Sequence, residues 1–198
     1  MTDILPIRVV VPTWLRNDKI EMFLGTAEMS FNVNNWQVKF DIDVKTVDNP
    51  DGVIYDQRFR IRSNHLTNDA LRTAARQALG NPPKRKGYVI FVCDTIVNAD
   101  NMHTDTVRPT GTNGESLTSE AISFLSLIGT KSFVGDGDAR TWTHEIGHGL
   151  GLVHVDNESN LMSPSRHGTG GHITGFDIAP EQIATMRQHW QNLTTNGL

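Results

Sequence analysis

Residues 144 to 154 read His-Glu-Ile-Gly-His-Gly-Leu-Gly-Leu-Val-His, the pattern H-E-x-x-H-x-x-G-x-x-H. His144 and His148 are four apart. On a helix they share one face, about one turn apart, and both imidazoles can reach one ion. Glu145 is rotated around the helix from His144. It can stand beside a metal without binding it and take a proton from the water that the metal activates. Gly151 can adopt the positive φ that ends a helix and turns the chain back. His154 can then return to the ion as a third ligand. Three histidines leave one tetrahedral position open, the mark of a catalytic zinc site rather than a closed structural one.

A bare H-E-x-x-H on a helix is a weak match; Gly151 and His154 make it specific. The extended motif resembles that of the metzincin zinc endopeptidases, a clan that includes the matrixins, astacins, adamalysins and serralysins. The clan's second mark is a methionine turn shortly after the third histidine, and Asn160-Leu161-Met162-Ser163-Pro164 stands there. Alone, Met162 reads as a core methionine. The resemblance implies that it forms a hydrophobic base under the metal. The match covers residues 141 to 164 and assigns no subfamily. A matrixin-like chain is one option, and Val155-Asp156 fits several.

The resemblance implies an α/β (α+β) fold with a twisted, mostly parallel sheet, built as a single catalytic domain over residues 1–198. Residues 1–151 would form an upper subdomain that includes the active-site helix. Residues 152–198 would form a small lower subdomain with the methionine turn and a C-terminal helix. It further implies a protein or peptide substrate bound in extended form along a sheet edge, by β-augmentation. Either 104–118 or 122–128 could supply that edge. Residues 163–172 would wall the pocket for the residue after the scissile bond.

The elements that must position these residues follow from patterning. Ile7 to Val11 is rich in β-branched residues and reads as a strand that Pro12 ends. Asp18 and Glu21 suggest a capping box opening a helix over 18–32, with Ile20, Phe23, Leu24, Ala27 and Phe31 at helical spacing. Trp36 to Val44 alternates apolar and polar residues, a half-exposed strand. Asn49 to Gly52 is a turn, and Val53 to Ile61 is a further candidate strand. Thr67 opens a second helix that Gly80 to Pro83 stops. Tyr88 to Val92 is apolar on both faces, so it should be a central strand. Strand, helix and buried strand together imply right-handed crossovers. Residues 98 to 120 are polar and loop-like, and Ile122–Ile128 and Ser132–Val134 read as short strands. The active helix should start near Asp138, with Trp142, Ile146 and Leu150 on the face away from the metal. The last helix should start at Pro180 and bury Ile183, Met186, Trp190 and Leu193.

The 198 residues suit one domain that can bury about 70% of its unfolded surface without disulfide staples. Cys93 is the single cysteine, so no intramolecular disulfide can form. It reads as a core thiol, because a thiol within a strand has little reach as an inhibitory zinc ligand. The net charge of −4 and the lack of a basic block give no reason to propose nucleic-acid binding. No run approaches transmembrane length, and the N-terminus lacks the features of a signal peptide. The expectation is a cytosolic protein, a mature secreted form or one exported by a signal-independent route. A protease without a propeptide needs another restraint, such as a protein inhibitor, narrow specificity or delivery into another cell. The compact pattern points to a monomer.

Five further histidines occur. His65, His103 and His189 have no partner at ligand spacing and read as surface or capping residues. His103-Thr104-Asp105 prompts the thought of a second, structural zinc as in matrixins, but its loop lacks the other histidines needed. Astacins and serralysins carry a tyrosine two residues after the methionine, where this chain has Pro164. His167 or His172 could supply the missing donor to a developing oxyanion; a plain loop histidine is the alternative. Asp136-Gly137-Asp138 offers oxygens for Ca²⁺, but one short acidic turn supplies too few ligands.

The expected activity is therefore zinc-dependent endopeptidase chemistry with one Zn²⁺, His144, His148 and His154 as ligands and Glu145 as base. Two rivals stand beside it. One is a non-catalytic zinc-containing binding module or toxin, which would have no use for Glu145. The other is a zinc hydrolase acting on a non-protein amide.

Overall fold

A computed structural model describes residues 2–16, 18–57, 59–62, 67–80, 87–93, 96–97, 114–117, 120–126, 137–164 and 175–196. Strand β1 (Asp3–Pro12) leads through a short 3₁₀ turn (Thr13–Leu15) into helix α1 (Lys19–Val33) and then strand β2 (Val38–Val47). The two-residue strand β3 (Ile61–Arg62) precedes helix α2 (Asn68–Leu79) and strand β4 (Tyr88–Cys93). Strands β5 (Ile96–Val97), β6 (Gly114–Leu117) and β7 (Ile122–Ser126) follow, then helices α3 (Gly137–Gly149) and α4 (Pro180–Asn196). Five strands form one sheet in the order β2-β1-β4-β7-β6; β3 and β5 pair separately. All neighbours in the large sheet are parallel except the β6–β7 pair. This is the mixed, mostly parallel α/β fold expected from the sequence.

Chirality explains the layering. From β1 the chain crosses to β2 on one side, and it later returns to β4 on the other. Right-handed crossovers in opposite directions place their helices on opposite faces of the sheet. Helices α1, α3 and α4 share one apolar core with Leu5, Ile7, Val9, Val38 and Phe40. Helix α2 covers the other face with Val10, Phe91 and Phe124. Strand β4 serves both cores: Tyr88, Ile90 and Val92 face the first, while Val89, Phe91 and Cys93 face the second. Every residue of β4 is buried, as its unbroken apolar run requires. The Cys93 thiol is buried and lies 3.7 Å from the Leu125 carbonyl.

Three sequence expectations are corrected. Asp18 does not build a capping box. Its backbone is already helical (φ −68°, ψ −10°) and its side chain makes no cap bond, whereas a capping side chain needs an extended backbone to reach the third helical N–H. Residues 53 to 61 do not form a strand. The Asp51 carboxylate accepts from the N–H groups of Val53, Ile54 and Tyr55 at 2.9, 2.8 and 3.0 Å, taking the donors a ladder would use. Only an isolated Tyr55–Ile61 bridge and β3 remain. The alternating strand begins at Val38; Trp36 is fully buried but precedes it, after Asn35 at φ 70°. Thr67 does cap α2, its hydroxyl accepting from the Ala70 N–H. The expected strand Ser132–Val134 lies outside the described residues. Among those described, no helix is long and apolar enough to cross a membrane.

Candidate metal centre

Helix α3 is seated by Trp142, Ile146 and Leu150, all within 1% exposure. Burying side chains of this size contributes roughly 1.5–3 kcal/mol each. With that face turned inward, the face bearing His144 and His148 is fixed. The helix begins at Gly137, next to the expected start near Asp138.

Its end is equally determined. Gly151 has φ +94°. The Gly151 N–H donates to the His148 carbonyl at 2.8 Å, and the Leu152 N–H donates to the Gly147 carbonyl at 2.9 Å. These two bonds are the Schellman pair, which needs a left-handed residue after the last turn. The chain thereby reverses and brings His154 back.

One ring nitrogen from each of His144, His148 and His154 lies within 4.8 Å of the others. The His154 Nε2 is 3.2 Å from that of His144 and 3.1 Å from that of His148. His144 Nδ1 lies 2.8 Å from the Leu161 carbonyl, and His148 Nδ1 lies 2.8 Å from the Leu152 carbonyl. A carbonyl can only accept, so both Nδ1 atoms carry the proton and both Nε2 atoms present a lone pair. Burial pushes the His144 pKa down to about 4, with the Leu161 bond opposing it, and burial also lowers that of His148. Both rings are thus neutral near pH 7, as metal ligands must be.

This donor set fits zinc. Tetrahedral bonds of ~2.0–2.1 Å to imidazoles place ligand nitrogens about 3.3 Å apart. The separations of 3.2 and 3.1 Å are close to that, and two lone pairs converging on a third ring are otherwise poorly placed.

Met162 is fully buried and its N–H donates to Asn160 Oδ1 at 2.8 Å. A Cβ placed on Gly147 would stand 2.9 Å from the Met162 sulfur. The absence of a side chain at 147 lets the thioether lie against α3. The segment after the turn comes back alongside it: the Leu161 N–H donates to the Asp177 carbonyl at 2.8 Å, and the Asp177 N–H to the Ser159 carbonyl at 3.1 Å.

Glu145 is 8% exposed and lies beside the sheet's last strand. Its backbone carbonyl lies 2.8 Å from Ser116 Oγ, 3.1 Å from the Tyr88 hydroxyl and 3.4 Å from Ser123 Oγ, in one cluster of hydroxyls that share their protons with it and with one another. Ser116 and Ser123 are directly opposed across β6 and β7, with their Oγ atoms 2.6 Å apart. Burial raises the Tyr88 pKa strongly, so the phenol stays protonated and keeps its donor. This hydroxyl cluster was missed from sequence. Its signal was a tyrosine and a serine in strands that otherwise read as apolar, since buried hydroxyls need partners. Of the two candidate edges, the described one is Gly114–Leu117; Ile122–Ser126 is an inner strand.

His189, on α4, rests against Gly151. His65, His103, His167, His172 and Asp136 lie outside the described residues, as do 165–172 of the expected pocket wall. Among the described residues, the three histidines are the one group of His, Cys, Asp or Glu side chains arranged to hold a metal.

The fold is one shared with metallopeptidases of the archaemetzincin type. The archaemetzincin of Methanopyrus kandleri aligns over 94% of this chain and 96% of its own, with a TM-score of 0.58 and 13% identity. A zinc-dependent peptidase of Methanocorpusculum labreanum aligns over 91% of this chain and 99% of its own, with a TM-score of 0.62 and 12% identity. Metalloproteinase-II of Bacteroides fragilis has a TM-score of 0.60 at 14% identity, and the present chain spans 53% of it. No family model and no curated protein matches the sequence.

Proposed function

We propose that this chain is a zinc-dependent endopeptidase, with His144, His148 and His154 holding the ion and Glu145 acting as base. The observation that carries the reading is the set of three ring nitrogens within 4.8 Å of one another, two of them left with a lone pair because the other nitrogen of the ring donates to a backbone carbonyl, with a buried glutamate next in sequence. The archaemetzincin-type fold supports the same reading.

A zinc ion bound there would supply Lewis acidity, lowering the pKa of a water to about 7 and polarising a substrate carbonyl. Glu145 takes the proton as the water attacks the peptide carbonyl, and hands it to the leaving amine, which must be protonated to depart. A cluster of hydroxyls from Tyr88, Ser116 and Ser123 supports the Glu145 backbone carbonyl, and Gly114 of β6 packs against its side chain. Among the described residues β6 is the last strand of the sheet and runs beside Glu145, so an extended peptide adding to that edge passes the base. Met162 and Leu161 form the floor and the histidine support from the following turn.

The test is digestion of a diverse peptide library read by mass spectrometry, with and without a zinc chelator, for the parent and Glu145→Ala. The expected result is chelator-sensitive internal cleavage by the parent, and a variant that keeps fold and zinc but loses most turnover. Cleavage by Glu145→Ala at the parent rate would remove Glu145 from its role. No cleavage by a parent carrying one zinc per chain would favour the binding-module reading.

A further inference from the structure

Arg140 stands one helical turn before His144 on α3, so the two project from the same face. It is 5% exposed. A guanidinium is costly to bury, and where one is retained its donors are satisfied. Here they reach four backbone carbonyls. Nε donates to Gly175 at 3.0 Å. Nη2 lies 2.7 Å from the Leu161 carbonyl, 3.0 Å from that of Ser163 and 3.3 Å from that of Asn160. The methionine turn and the segment that returns beside it are thus both gathered onto one side chain.

The Leu161 carbonyl is the point of interest. It accepts from Arg140 at 2.7 Å and from His144 Nδ1 at 2.8 Å. A carbonyl oxygen has two lone pairs, and here each has a donor. The direction in which this carbonyl points decides the direction in which the His144 ring points. Arg140 is the charged group that holds it.

We propose that Arg140 is a positioning residue for the metal centre, holding the Leu161 carbonyl where His144 Nδ1 must donate and so aiming His144 Nε2 at the other two histidines. The inference rests on the zinc reading above. It separates Arg140 from an ordinary buried structural arginine, because a group that fixes a ligand's hydrogen-bond partner alters the metal as well as the fold. Loss of such a partner typically costs 10–100-fold in metal affinity.

The experiment uses the full chain and two probes, Zn²⁺ affinity by competition with a chromophoric chelator and the visible absorption of the Co²⁺-substituted protein. Arg140→Met removes the charge at similar length. Ile183→Ala is the control, since Ile183 is buried in the same core on α4 and its aliphatic side chain can make no hydrogen bond to the histidines or to the Leu161 carbonyl. The expected result is a 10–100-fold weaker Zn²⁺ affinity and an altered Co²⁺ spectrum for Arg140→Met. Ile183→Ala should melt earlier but keep the parent affinity and spectrum. Arg140→Lys, which restores the charge without the fork, should lie between Arg140→Met and the parent. If Arg140→Met does not fold, the comparison of Arg140→Lys with Ile183→Ala decides the matter. Parent-like affinity and spectrum in the Arg140 variants would overturn the inference and leave the zinc reading standing. A parent that binds neither Zn²⁺ nor Co²⁺ would overturn both.

Discussion

Gly114 and Glu145 are packed so closely that a Cβ on the glycine would stand 2.6 Å from Cγ of the glutamate and 3.2 Å from its Cδ. The last strand of the sheet therefore runs directly against the proposed base, and no side chain fits between them. Gly114→Ala should push the glutamate or the strand aside. Misplacing a reacting group by about 1 Å can cost on the order of a hundredfold in rate. We expect a drop of that order in kcat with one zinc per chain retained, measured by peptide turnover and metal content. Unchanged kcat would mean that Glu145 tolerates the shift or does not act.

Tyr88→Phe should loosen the same helix from beneath. The hydroxyl lies 2.5 Å from Ser123 Oγ and 3.1 Å from the Glu145 carbonyl, and it is fully buried. Losing it should cost about 1–2 kcal/mol, since Ser116 still reaches the carbonyl. For a chain of this length that corresponds to a fall of roughly 2–8 °C in Tm. Urea unfolding checks the energy, and an unchanged midpoint would remove the cluster from the stability account.

Gly151→Ala tests the reversal that delivers His154. The residue has φ +94°, and His189 fills the space a side chain would need. The substitution should destabilise the protein by more than about 1 kcal/mol and displace the third ligand. Thermal melts with and without Zn²⁺ separate the two effects. We expect the parent's Tm to rise on adding Zn²⁺ and the variant's to rise much less. An equal rise would show that His154 reaches the ion without the glycine.

Acid stability should carry the mark of Arg72 and Glu120, which join α2 to the turn before β7. The guanidinium's hydrogen bond and charge hold the Glu120 carboxyl below its ordinary value of 4.5, against a smaller opposing push from burial. A folded pKa below the unfolded one means the unfolded chain takes up the proton first. The contribution is fully present above the unfolded value and is lost as pH falls through the lowered folded one. The pair is partly exposed, so added salt should weaken the effect. Arg72→Ala should flatten the acid limb of a stability curve taken from about pH 3 to 6. An unchanged limb would assign the acid sensitivity elsewhere.

Much of the site could be read from sequence because side-chain identity carries it. The 144, 148, 151 and 154 positions each announce a donor or a turn, and helical periodicity fixed Trp142, Ile146 and Leu150 as the buried face. The supports could not be read in the same way. The acceptors for His144 and His148 are backbone carbonyls of Leu161 and Leu152, which every residue possesses. Arg140 looks like any helical charge until its partners, twenty and more residues away, are known. Gly114 and Ser116 sit in a polar run that reads as loop, and only their pairing with β7 makes them an edge. The failures at Asp18 and at 53–61 share one cause: carboxylates can cap several alternative backbones, and composition does not say which.

The reversal at Gly151 has a consequence for folding kinetics. His144 and His154 are ten positions apart, and Arg140, Leu161 and Met162 lie within the same short stretch. Loop-closure entropy grows with contour length, so the metal-holding half of the site is among the least costly parts of the chain to assemble. The half that supports Glu145 joins α3 to β4, β6 and β7, over separations of 22 to 57 residues. Contacts of that span form late in chains of mixed topology. A refolding chain should therefore be able to capture its ion before its sheet edge is in place, and metal uptake should precede the recovery of activity.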